Sequence, residues 1–573
     1  MTIMFKRVSI LTLLGLLIGG VVGVLSVLFV DAVLWFNDLF AVTRDSRSQV
    51  SSPAWLMAMT IGIPAAGGLV VGLIALAVRE QRFHGPLDAI RTAQSLDATM
   101  PVKSGVLSTL AAVISLGSGA SVGQYGPLAH MGASLGSWIS RVMRSDRSLG
   151  RIGIACGAAA AISAAFHAPL AGLVFSREVI LRHYSLQAFA PIAVSSTMGY
   201  VVAHGVFQRS PLFRIDEFVV VSPYEYLVFI VTGIVGAMLA IVFMRAIEFA
   251  AATNRRLEWP VPIKTAIAGL ALGIVALQVP DVLGIGQDVL RLAMAGSSFS
   301  AAELAVTLTA KLLVTALCLG FGFAGGVFSP ALLIGTLFGA LVGISTGWFV
   351  GDYHSAVAVY AVCGMVAVTS PVIGAPLTMV LIVFELTQSF ELATAALVSV
   401  AFANLVAYRL YGRSFFDVQL QGSGFDLSLG RDKVIVQQHS IRDLLSQDFT
   451  SGSAEQTLAD IREALITDKR SEAYITDASG QYVGTLTLHR LMKLTATGTA
   501  LNESIGPYAE QESLMLEPDT SIWTAMSEMQ DFVGESIPVI EDGRLAGVLF
   551  ESTIVTAYLN ILEEIRKEEH AAA

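Results

Sequence analysis

The chain repeats itself across its apolar body. Gly117, Gly119, Gly123, Pro127, Gly132 and Gly136 recur 203 positions later as Gly320, Gly322, Gly326, Pro330, Gly335 and Gly339. Downstream, Cys156, Gly157, Ala168, Pro169, Leu170 and Glu178 recur 207 positions later as Cys363, Gly364, Ala375, Pro376, Leu377 and Glu385. Glycine and alanine are common here, so a single match carries little. Twelve matches in register with one four-residue slip specify two related halves. Of the 573 residues, 54% are apolar and 14% charged, and the mean hydropathy is +0.68. A soluble domain carries about 25% charge, so an ordinary soluble enzyme and a disordered chain are both excluded. The composition specifies an α-helical polytopic membrane protein; at ~20 apolar residues per crossing there is room for more than about ten spans and a soluble domain besides. Duplicated halves broken by Gly and Pro are the pattern of transporters whose substrate sits where the halves meet, near the bilayer midplane. The residues alone leave parallel and inverted repeats both open.

Lys6 and Arg7 precede an apolar run over 8–30. It is too long for a signal-peptide core and no small-residue cleavage site follows promptly, so it reads as a retained first helix with its basic end cytoplasmic. Arg141, Arg144, Arg147 and Arg151 suggest a second cytoplasmic segment. Further apolar runs cover roughly 54–78, 105–118, 152–182, 188–206, 225–250, 263–279, 302–320, 331–350, 355–369 and 372–410. The membrane domain is thus expected over 1–420, with halves at about 8–206 and 222–410, followed by a linker at 421–439. Residues 440–560 read as two short α/β units, each ending in strand, tight turn, strand and helix: 472–494 with a turn at 477–480, and 536–559 with a turn at 541–543. A charged tail, 561–573, closes the chain.

Charge divides along the same boundary. Residues 431–573 hold 24 acidic and 11 basic side chains, net −13, while 1–430 carry net +3. That balance argues against a nucleic-acid partner. Cys156, Cys318 and Cys363 lie inside apolar runs, which excludes a disulfide scaffold and a thiolate zinc site and makes them small core residues. The apolar body shows neither a metal-ligand cluster nor a nucleophile–base pair, so a membrane enzyme is the weakest reading and no metal or cofactor is expected.

The glycine clusters carry the chemistry. Residues 117–127 and 320–330 each place flexible backbone before an expected helix start, with Pro127 or Pro330 suited to the first turn. A helix N-terminus presents unpaired N–H groups and about half a positive charge, which makes it an anion site. Two such ends converging from two halves would hold a dehydrated anion without a full cationic side chain, and so still release it. A phosphate-binding P-loop is excluded because no Lys-Ser/Thr pair follows either cluster.

These residues resemble the CLC family of chloride channels and anion/proton antiporters, nearly throughout 1–420, with the tandem CBS domains that many members carry. Gly123, Gln124, Tyr125, Gly126 and Pro127 are similar to the segment written G-K/R-E-G-P. Gly326, Val327, Phe328, Ser329 and Pro330 match G-x-F-x-P, and His84, Gly85 and Pro86 are similar, less closely, to G-S-G-x-P. The resemblance implies an inverted-repeat CLC fold of broken helices plus an α/β CBS pair. It also implies a homodimer with a pore in each subunit, a multi-pass place in the cell (inner) membrane, and cytoplasmic termini and CBS domains. It implies chloride or a similar anion as the transported ion. The backbone amides of Val327, Phe328 and the Gln124–Tyr125–Gly126 stretch are then expected to face the anion. His84 falls where the family has a chloride-ligating serine, and Phe416 where a tyrosine hydroxyl meets the central ion. An ordinary core aromatic and a satisfied structural histidine are the competing accounts of these two. His130 and His167 read as helix-packing residues without an assigned role.

The departures bear on mechanism. Tyr125 replaces the gating glutamate, and Val179 occupies the position of the second proton-carrying glutamate, with Glu178 one residue earlier. A carboxyl group starts near pKa 4.3 and tyrosine near 10, so roughly one tyrosine in a thousand is ionised at neutral pH. Tyr125 is therefore a poor alternating proton carrier, and serves better as a neutral plug or a hydroxyl donor to the anion. The expectation is a passive, proton-uncoupled channel for chloride or another small monovalent anion. The alternatives are an antiporter with a non-glutamate proton route through His84 or water, and a membrane regulatory protein whose pore is closed. Glu178 and Glu385, equivalent across the repeat, read as structural, accepting backbone N–H bonds or pairing with a cation. Lys311 lies mid-run, to be explained by snorkelling or pairing, while Lys103 and Arg82 are candidates for positive potential near a vestibule. In the CBS pair the ribose-binding carboxylate is absent: the positions read Thr487 to Arg490 and Phe550 to Thr553. That favours a structural or dimerising role over adenine-nucleotide binding.

Overall fold

The computed structural model describes residues 2–571 apart from 79–80, 96–97, 144–146, 183–185, 212–219, 297, 352, 428–429, 512–513, 533 and 535. Of the basic cluster expected at a cytoplasmic loop, Arg144 lies outside the described residues. The chain divides into two units, Met1–Phe425 and Asp426–Ala571.

The first unit is all helix. Nine helices among the described residues are long and apolar enough to cross a membrane, and Val102–Gly117, Val357–Ile373 and Pro376–Thr387 are shorter apolar helices. Two long apolar runs are broken where the hydropathy pattern read through them. The run at 152–182 splits into Arg147–Phe166 and Pro169–Phe175, and the run at 372–410 into Pro376–Thr387 and Phe390–Leu410. Proline explains the first kind of break: Pro169 and Pro376 start new helices because their ring excludes the N–H that a continuing helix would use. The second half breaks again before Phe390, where Gln388 turns into the left-handed region at φ 53°.

Backbone geometry repeats with the sequence. Gly119 and Gly322, mates across the repeat, both have positive φ, at 85° and 97°. His167 at φ 58° is the mate of Gly374 at φ 75°, and Arg182 at φ 58° closes its helix as Gln388 does. The relation between the halves is inverted, as two carboxylates show. Glu178 accepts the N–H groups of Leu377 and Thr378, each at 3.0 Å, and the Thr378 hydroxyl at 2.8 Å. Glu385 accepts those of Leu170 and Ala171, each at 2.8 Å. Each acid sits late on its own short segment and caps the start of the other, which requires the two segments to run antiparallel. Orphan N–H groups at both helix starts are thereby satisfied, with a favourable charge against each dipole.

The second unit is α/β. Strands Thr450–Ser453, Glu472–Thr476 and Tyr482–Thr487 form one sheet, and Ser536–Glu541 pairs with Arg544–Phe550 in another. Thr450 pairs in parallel with Ala473, and Leu516 with Val539, at the same chain spacing. Helices Leu458–Asp468 and Leu488–Ala496 flank the first sheet; Ile522–Glu528 and Glu551–Ala571 occupy the equivalent places in the second. Both hairpins turn at glycine with positive φ, Gly480 at 82° and Gly543 at 81°, a conformation other residues adopt at a cost. Residues 431–437, expected in a linker, form the helix Arg431–Gln437 within this unit, burying Val434, Ile435 and Val436. The Thr487 hydroxyl accepts from the Arg490 N–H at 3.1 Å as a helix cap, so the threonine of the ribose comparison is already engaged.

Candidate functional site

The two glycine clusters meet. Gly123 N–H donates to the Gly326 carbonyl at 2.7 Å, and Gly326 N–H to the Gly123 carbonyl at 2.8 Å. A methyl group on Gly123 would stand 2.6 Å from the Gly326 oxygen, so glycine is what permits this approach. Helices Tyr125–Val142 and Phe328–Val350 begin directly beyond the bridge, one from each half. Their flanks are held across the halves: Gln124 N–H donates to Ser329 Oγ at 3.2 Å, Ala324 N–H to Ser115 Oγ at 3.1 Å, and Ser121 Oγ lies 2.8 Å from Thr315 Oγ1.

Donors remain free at this junction. The first intrahelical bonds run from Leu128 N–H to Gln124 and from Ala331 N–H to Val327. Among the described residues no acceptor takes the N–H of Tyr125, Gly126, Val327, Phe328 or Ser329. Buried N–H groups are rarely left unpaired in folded proteins, and such groups at two facing helix starts are donors suited to an anion.

An aromatic cluster stands at the same place. Tyr125 is 1% exposed; its ring lies 4.0 Å from Phe166 and 5.3 Å, edge-on, from Phe328, with Phe166 and Phe328 also 5.3 Å apart. Cavities of about 680 and 580 Å³ flank it. The first is lined by His84, Gly85, Tyr125, Gly126, Val327, Phe328 and Phe416; the second by Gln124, His167, Ser26, Arg209 and Arg291. Gly123 lines neither cavity, its polar backbone being spent in the bridge.

Among the described residues His84 Nδ1 is buried without a partner, and the ring lies 5.9 Å from that of His130, whose Nε2 is likewise unpartnered. The His84 N–H donates to Ser108 Oγ at 2.9 Å. Gly85 precedes a third helix start, Pro86–Gln94, but its N–H is taken by the Asp88 carboxylate at 2.8 Å, which also pairs with Arg82 at 2.8 Å. Arg82 therefore reaches the first cavity with its charge matched, and Lys103 lines neither cavity. Phe416 opens into the first cavity from the helix Phe415–Gly422. Val179 is buried away from both cavities.

One reading needs correction. Lys311 neither snorkels nor forms an ion pair among the described residues; it is fully buried and donates to the carbonyls of Val282 at 2.9 Å and Gly284 at 2.7 Å. Its side chain points inward because the loop before Gln287–Met294 supplies the acceptors that the lipid face cannot. His130 and His167 each carry a buried ring nitrogen with no partner among the described residues, and His167 lines the second cavity. Sequence reasoning also passed over Phe166, Ser115 and Ser329. A signal existed for the histidines: their repeat mates are Leu333 and Gly374, so both are places where the halves differ. Among the described residues no group of His, Cys, Asp or Glu could hold a metal ion.

Comparison with known proteins shows the family of the chain. A family model described as voltage gated chloride channel matches residues 67–408, and a CBS domain model matches 508–560. The chain is 29% identical over 334 residues to a putative chloride channel protein ClcB-like of Ralstonia nicotianae, covering 57% of this chain and 78% of that one. It is 27% identical to the voltage-gated ClC-type chloride channel ClcB of Shigella flexneri, covering 72% and 98%. Its fold is similar to a slow cyanobacterial Cl⁻/H⁺ antiporter, with TM-score 0.66 and 23% identity over 72% of this chain and 97% of that one. A eukaryotic CLC transporter gives TM-score 0.63 and 18% identity over 96% and 98%. With the family model spanning more than half of its length, the chain belongs to the voltage gated chloride channel (CLC) family, multi-pass membrane proteins that move anions and are not enzymes.

Proposed function

We propose that this protein is a passive, proton-uncoupled channel for chloride or a similar small monovalent anion. The carrying observation is Tyr125: it stands at the junction of two helix starts with free N–H groups, packed against Phe166 and Phe328. The helix ends stabilise the anion by fixed dipoles, which cost no reorganisation when it arrives. The ring closes the path by packing. Swinging it aside opens the path without moving a proton, because its hydroxyl keeps its proton at neutral pH. His84, Gly85 and Phe416 form the wall of one vestibule and Gln124 the wall of the other. The working unit is a homodimer with one pore per subunit, in the cell membrane with cytoplasmic termini. Residues 440–560 act as a CBS pair in a structural or dimerising role, supported by the shared strand pairing of its two parts.

A second reading is favoured by one observation. His84, on the first vestibule, and His130 behind it have rings 5.9 Å apart, each with an unpartnered nitrogen among the described residues, and could pass protons in an anion/proton antiporter. One experiment separates the two. In liposomes with symmetric chloride and an imposed pH gradient, the channel reading predicts no shift of the reversal potential. A shift that follows the proton gradient refutes it and favours the antiporter. Absence of anion flux from both the native protein and Tyr125→Ala would favour a closed-pore regulatory protein instead.

A further inference from the structure

Lys311 sits midway along the helix Ala301–Gly320, fully buried. An ionisable group at that depth is expensive and signals function by default. Its mate across the repeat, 203 positions earlier, is Ser108. The two do the same mechanical work. Ser108 Oγ accepts the N–H of His84, just before the helix that begins after Gly85; Lys311 Nζ donates to the carbonyls of Val282 and Gly284, just before the helix that begins after Gly286. Each tethers the segment entering a short helix. A hydroxyl suffices in one half, so the ammonium in the other adds something besides the tether.

What it adds is charge beside the anion junction. Gly284 N–H donates to the carbonyl of Gly119, at the start of the first glycine cluster, at 2.9 Å. One turn beyond Lys311, Thr315 pairs with Ser121 in the same cluster. The ammonium therefore lies behind that cluster, one bonded segment removed, on the half that leads to Gln287 and the second cavity. Its neighbouring carboxylate, Asp281, is engaged by Arg44 at 2.5 Å. A positive charge without a matched anion among the described residues projects its field through the low-dielectric interior.

We propose that Lys311 is a positioning and specificity-determining residue for anion transport: its buried charge, unmatched in the opposite half, tightens anion occupancy on the second-cavity side of Tyr125. The ammonium does not touch the anion and acts through its field. This rests on the anion-path reading above.

The test uses the full-length protein in planar bilayers, with chloride varied on one side at a time. K311M, which keeps the stem and removes the charge, is expected to raise the half-saturating chloride concentration on the second-cavity side about five- to tenfold, the effect of one charge at intermediate range. K311R is expected to restore it. A purely structural tether would lower maximal flux through loss of folded protein and leave half-saturation unchanged; that result in monodisperse K311M overturns the proposal. Should K311M fail to fold, the native protein still decides: equal half-saturation from both sides overturns the proposal, and several-fold tighter saturation from the second-cavity side supports it. If the native protein carries no anion current, the anion-path reading itself has failed, a distinct outcome.

Discussion

Truncating Tyr125 gives the sharpest expectation. In Tyr125→Ala the ring leaves a site where it meets Phe166 at 4.0 Å and Phe328 at 5.3 Å. Each such aromatic pair is worth about 0.5–1.5 kcal/mol beyond area burial, so the two together hold the closed arrangement by about 1–3 kcal/mol. If opening means breaking both, the open fraction of the native protein is reduced by roughly 5- to 150-fold. Tyr125→Ala should therefore raise chloride flux from liposomes by about one to two orders of magnitude. Tyr125→Phe keeps the ring and separates plug from hydroxyl: near-native flux supports the plug, and a marked fall means that the hydroxyl serves the passing anion. The cost is stability, since emptying a buried aromatic site costs about 3–5 kcal/mol, and flux must be normalised to folded protein. Unchanged flux in folded Tyr125→Ala would refute the reasoning, because the ring would then stand outside the path.

Tyr125→Glu should bring pH-dependent flux. A carboxylate at two helix starts competes with the anion for the free N–H groups, and its protonation releases them, so flux should rise as pH falls from 7 toward the ordinary carboxyl range near 4.3; a flat profile by efflux assay counts against the site. Glu178→Gln and Glu385→Gln each replace a carboxylate that accepts two helix-start N–H groups. Each should lower unfolding free energy by about 2–3 kcal/mol, the worth of charge-assisted bonds to a helix start, seen as a lower melting temperature in detergent with anion selectivity unchanged.

Much of the membrane unit was legible because its determinants are local or duplicated. The glycine register located both helix starts of the junction, and Pro127 and Pro330 do fall in first turns. The equivalence of Glu178 and Glu385 pointed to a structural role, and reciprocal capping supplies it. Hydropathy could not show the break before Pro169, since both sides of it are apolar. Phe166 was invisible for a related reason: one aromatic in an apolar run looks like any other until the fold brings it to Tyr125. Lys311 was misread because its acceptors are carbonyls 27 and 29 residues away in the chain, and backbone acceptors leave no trace in a sequence. His84 was found through motif similarity, whereas its neighbour His130 comes into view only through its repeat mate, an apolar Leu333.

The most direct test is to locate the ion. Crystals grown in bromide and measured at its absorption edge should show an anomalous peak at the junction, within hydrogen-bond reach of the free N–H groups of Tyr125, Gly126, Val327 or Phe328. A map empty there, with bromide bound elsewhere in the molecule, would contradict a path stabilised by facing helix ends.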